Sequence, residues 1–112
     1  MPPAVVSVQR SVADVRVYLP VGLAELDLLA AGQQIRVEGY VAASTDEEDE
    51  LAAVETAAED APAVAVAEVD DPDGPVALSD VEALHTAIDD SGDLAWFAPS
   101  EIAAVIEVLR SR

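Results

Sequence analysis

The chain has 112 residues and a formal charge of −18, from 23 acids against five arginines, with neither lysine nor cysteine. That size holds one domain with a modest core. The charge repels the DNA backbone and anionic lipid, and the lack of cysteine rules out disulfides, zinc–thiolate sites and thiol catalysis.

The charge is uneven. Residues 1–45 carry Asp14, Glu25, Asp27 and Glu38 against three arginines, and residues 46–112 hold all the other acids against Arg110 and Arg112. Alanine and valine dominate the 52% hydrophobic content, with one Trp, one Phe and two Tyr. A core of small side chains buries less area per residue, so homodimerisation is one way to bury more. No apolar run approaches the roughly 20 residues of a spanning helix, and the opening MPPAVVSVQR lacks a signal-peptide pattern. A cytoplasmic protein is expected.

Residues 1–13 read as a leader, with a short strand at Ala4–Val8, ahead of one globular domain over 14–112. From Asp14 to Leu19 the residues alternate, Val15, Val17 and Leu19 on one face and Arg16 and Tyr18 on the other, predicting a half-buried strand. Pro20 ends it and suits a helix start. Leu23, Leu26, Leu29 and Ala30 recur at helical spacing, and Gly32 stands where a C-terminal cap belongs. Residues 35–41 alternate again and predict a second strand.

Thr45 and Glu48 form a capping box, and the acids of 46–50 suit the positive end of a helix running to about Asp60. Pro62 breaks it. The apolar run 63–69 predicts a central strand buried on both faces, and 70–75 a loop. In Ser79–Asp89 a capping box (Ser79, Glu82) and the spacing of Val81, Leu84 and Ile88 favour a helix, with a turn followed by a strand as the alternative. Residues 94–98 read as a short strand. Ile102, Val105, Ile106 and Leu109 give the clearest helical stripe. The class expected is α/β or α+β, a small mixed sheet of four to five strands covered by three to four helices.

Val15-Arg-Val-Tyr-Leu-Pro20 with its Leu-rich helix resembles the opening of a family of uncharacterised actinobacterial proteins that begin with an R-V-Y-[VIL]-P strand. Leu94-Ala-Trp-Phe-Ala-Pro-Ser-Glu-Ile102 is similar to that family's closing L-L-W-[FY]-A-T-Q-E segment. Here Pro99-Ser100 replace the polar pair, the middle is shorter, and a leader precedes the first strand. The absence of Lys and Asn agrees with a high-GC source, actinobacterial ahead of haloarchaeal. The resemblance implies a fold and a source, no mechanism, and a His85 segment more strand-like than its spacing alone predicts.

Two constellations stand out. If the first two predicted strands were parallel neighbours, Arg16, Tyr18, Arg36, Glu38 and Tyr40 would share a patch able to bind a carboxylate, a phosphate or an acidic helix. Trp96 and Phe97 fall on opposite sides of their strand, and with Ala104 and Val108 of the last helix they are candidates for an interface. His85 has no second His or Cys for metal binding and no Gly-x-Ser-x-Gly elbow for a triad. The acidic clusters 46–50, 70–73 and 89–93 miss the EF-hand spacing. No catalytic residue, metal or cofactor is indicated. The expectation is a non-enzymatic interaction or regulatory module with a protein partner or a second copy of itself. The alternatives are an acidic nucleic-acid mimic that inhibits a basic protein, and a small-molecule-binding domain or enzyme using the Arg/Tyr face.

Overall fold

Alternating valines produce the first strand, β1 (Val15–Val21), with Val17, Leu19 and Val21 buried on one face and Tyr18 on the other. The structure, a computed structural model, describes residues 15–42, 44, 46–71, 73–88 and 93–111, so the strand expected at 4–8 lies outside them. Pro20 does not end β1 but sits inside it, opposite Val64. The reason is directional. The Tyr18 N–H points away from the sheet to the Tyr40 carbonyl (2.8 Å), and position 20 faces the same way, where no ladder donor is needed.

Helix α1 (Leu23–Ala30) follows, its entrance closed by Glu25, which accepts the Gly22 N–H at 2.7 Å. It ends at Gly32 (φ +83°): the Gly32 and Gln33 N–H groups return to the Leu29 and Leu28 carbonyls, the pairing of a Schellman cap. Residues 35–41 form no strand. They cross the molecule with two isolated antiparallel bridges, Ile35 to Val76 and Tyr40 to Tyr18. Gly39 lies so close to β1 that an added Cβ would stand 2.6 Å from Leu19 Cδ2.

Helix α2 (Glu47–Asp60) starts from Asp46 rather than Thr45, which lies outside the described residues, and places four acids in its first turn. β2 (Ala63–Val69) is the central strand expected, buried except at Glu68. A single 3₁₀ turn (Leu78–Asp80) then leads into β3 (Val81–Ala87), where the spacing favoured a helix. Backbone pairing decides this: as a strand, β3 satisfies the edge of β2 that β1 does not reach. β4 (Leu94–Phe97) and α3 (Ile102–Arg110) complete the chain, with Ile102, Val105, Ile106 and Leu109 buried.

The sheet order is β1-β2-β3-β4. The expected α/β class holds, with four strands and three helices among the described residues, but their pairing is antiparallel throughout rather than mixed. Residues 35–41 run back along β1, so α2 travels in the direction of β1 and β2 returns against it. α1 and α3 pack on one face over Leu19, Ala65 and Leu84, and α2 packs on the other over Tyr18, Val64 and Val66.

Candidate functional site

An α-helix with its side chains is about 10 Å wide and neighbouring strands lie about 4.8 Å apart, so one helix roofs roughly two strands. Two helices cover the α1/α3 face. On the opposite face α2 covers β1 and β2, and β3 and β4 continue beyond it. The outcome is an open hollow of about 540 Å³ between α2 and the outer strands, lined among others by Leu51, Val54, Ala83, His85 and Trp96. A second hollow of about 750 Å³ shares Leu51, Val54 and His85 and runs on past Leu94.

Antiparallel register sets the floor. His85 of β3 stands between Val64 of β2 and Trp96 of β4, and Val66 pairs with Ala83 one step along. Trp96 is 61% exposed on this floor, and Leu51 is 57% exposed on the wall. Burial lowers the His85 imidazole below the ordinary histidine range, which keeps the ring neutral at pH 7.

At one end of the hollow Arg16 ties three elements together. Its guanidinium meets Glu82 of β3 at 3.2 Å, Glu50 of α2 at 3.2 Å and Glu68 of β2 at 3.7 Å. A β-bulge makes this possible: pairing passes from Val66–Ala83 to Ala67–Val81, leaving Glu82 as the extra residue beside Ala83 on the α2 side. Burial alone would lower the Arg16 pKa, and Glu82 and Glu50 outweigh it, so the net shift is upward. Burial, with Glu50 nearby, raises the Tyr18 phenol.

The five-residue Arg/Tyr patch is brought together only in part: Tyr18 and Tyr40 are bridged and Arg16 interacts with the Tyr18 side chain, but Arg36 is directed elsewhere. The premise of the patch, a parallel strand pair, fails because 35–41 is not a strand. Arg16 is engaged by glutamates, Tyr18 is buried under α2, and the Tyr40 hydroxyl donates to Asp60, which raises its pKa. Arg36 turns to the other end of its segment and donates to the Asp73 carbonyl at 2.9 Å, while Glu38 is exposed.

The second constellation also divides. Trp96 opens onto the α2 side, Phe97 and Val108 pack against the main core, and Ala104 is exposed on α3 across the sheet. Sequence reasoning singled out Trp96 and His85 separately but not Leu51, Glu50 or Glu82 as fellow residues of the hollow. A usable signal was present in 81–87, where a strand register puts Ala83 and His85 on one face.

Among the described residues no cluster of acids and His has metal-binding geometry, and no helix is long and apolar enough to cross a membrane. Comparison with protein-family models, with curated proteins and with solved structures found no match.

Proposed function

We propose that this chain is a non-enzymatic interaction module and that the half-roofed face between α2 and β3–β4 is where a protein partner docks. The observation that carries this reading is the exposure of Leu51 on the wall and Trp96 on the floor of one hollow. Large apolar side chains that converge on a groove, with a polar rim, mark an interaction surface. The Arg16 cluster supports the reading by pinning α2 to the sheet at one end, which gives the hollow a fixed wall. A cytoplasmic location and kinship with the actinobacterial family belong to the same proposal.

The test is site-directed photo-crosslinking in the native cytosol. A photoreactive amino acid in place of Leu51 should trap a defined protein, and the same group in place of exposed Ala104, across the sheet, should not. Equal yields from both positions, or none from position 51, would remove the reading.

A further inference from the structure

The hollow lies where a second helix would complete the roof of this sheet face. Among the described residues, α1 and α3 together roof one sheet face, whereas α2 is the one helix on the other. The uncovered floor, two strands wide, matches the footprint of one more helix.

The charge of the rim selects the occupant. Glu47, Glu55 and Glu59 line the α2 wall, and Glu82 stands on the β3 side. Glu47, Glu55 and Glu59 have no cationic partner among the described residues, and the single arginine of the lining, Arg16, is shared by three carboxylates. A second copy bringing the same face would set this rim against itself, and like charges brought together are costly. The complementary surface is an apolar stripe bordered by Lys and Arg.

We propose that the groove between α2 and β3–β4 receives a cationic amphipathic helix from a protein partner. Its apolar stripe covers Leu51, Val54, His85 and Trp96, and its basic flanks face Glu47, Glu55, Glu59 and Glu82. This rests on the reading of the groove as the partner site. Recognition is of the helix-in-groove kind, with anchors at i, i+3, i+4 and i+7.

Trp96 is the chain's only tryptophan, so its emission reports occupancy of the groove directly. The probes are synthetic helices of one length with an identical leucine stripe and with Lys, Gln or Glu at the remaining polar positions. A fourth peptide has the lysine version's composition in scrambled order. The Lys helix should shift Trp96 emission to the blue, and its Kd should rise by about tenfold or more between about 50 and 300 mM salt. Replacing Glu47, Glu55 and Glu59 together by Gln should weaken it about tenfold, and Leu51→Ser should weaken it with an unchanged circular dichroism spectrum.

Equal affinity of the Gln or Glu helix would overturn the charge assignment, and equal affinity of the scrambled peptide would reduce the effect to non-specific attraction. A blue shift with rising concentration of the protein alone would make a second copy the occupant. A red shift on deleting residues 1–14 would make that segment the occupant. If no helix moves Trp96 while position 51 still traps a partner, this proposal fails and the interaction reading stands; if both fail, both are wrong.

Discussion

Replacing Leu84 by Ala and, separately, Ile88 by Ala distinguishes the two conformations open to residues 81–88. In a helix Val81, Leu84 and Ile88 would form one buried stripe, and the two truncations would cost alike. In the strand, Leu84 is fully buried in the main core, whereas Ile88, just past the end of β3, is 59% exposed. Leu84→Ala removes the packing of a side chain held between the sheet and the α1/α3 layer, worth about 2–5 kcal/mol with its cavity. Ile88→Ala removes a mostly solvated side chain and should cost about 0.5 kcal/mol. A domain of this size is stable by about 5–15 kcal/mol, so the first change is a large share of the total. It should lower Tm by roughly 10 °C or more, and the second by a few degrees at most. Urea denaturation followed by far-ultraviolet circular dichroism measures both, with unchanged slope as the sign that the unfolding reaction is the same. Equal losses for the two variants would refute the strand and its register.

Arg16→Ala should cost about 1 kcal/mol, because its pairs are partly solvated and each is worth about 0.2–1 kcal/mol. Part of the loss is repulsion among Glu50, Glu68 and Glu82, so about 1 M salt should recover some of it; a loss insensitive to salt would contradict this account. His85, the sole histidine, should titrate by NMR below its ordinary value of about 6.5, since burial disfavours the imidazolium. The unfolded chain therefore takes up this proton first as pH falls. The stability associated with the neutral ring is present above about 6.5 and is lost as pH drops through the folded pKa; a midpoint at or above 6.5 would contradict it. Gly39→Ala should cost about 1–3 kcal/mol, because its Cβ would meet Leu19 and stand 3.0 Å from the Tyr18 carbonyl. Faster exchange of the Tyr18 amide, which bonds to Tyr40, would report the displaced segment, and unchanged exchange would count against that geometry.

The uneven charge has a structural outcome. Its densest run forms the entrance of α2, where the helix dipole favours carboxylates, and from there Glu47 and Glu50 reach the hollow. The near-neutral first part contributes Arg16, the cation that holds those elements in place. The acidic and less charged parts of the chain therefore meet at one site.

Where periodicity and punctuation agreed, the sequence alone was sufficient. β2 and α3 stand where their apolar patterns put them, Gly32 caps α1, and Trp96 and Phe97 lie on opposite faces, because these features depend on side-chain spacing within a few residues. Other features depended on partners distant in the chain. Residues 35–41 alternate like a strand but have no complete ladder to join; 81–87 has helical spacing but completes the pairing of β2. The Arg16 cluster needs a bulge that no local pattern announces, and it gathers residues up to 66 positions apart. Leu51 and Trp96, 45 residues apart in the chain, share a groove only because one helix is too narrow to roof four strands. Local spacing determined the elements, and the tertiary structure decided which faces were left uncovered, since coverage depends on how many helices lie over how wide a sheet.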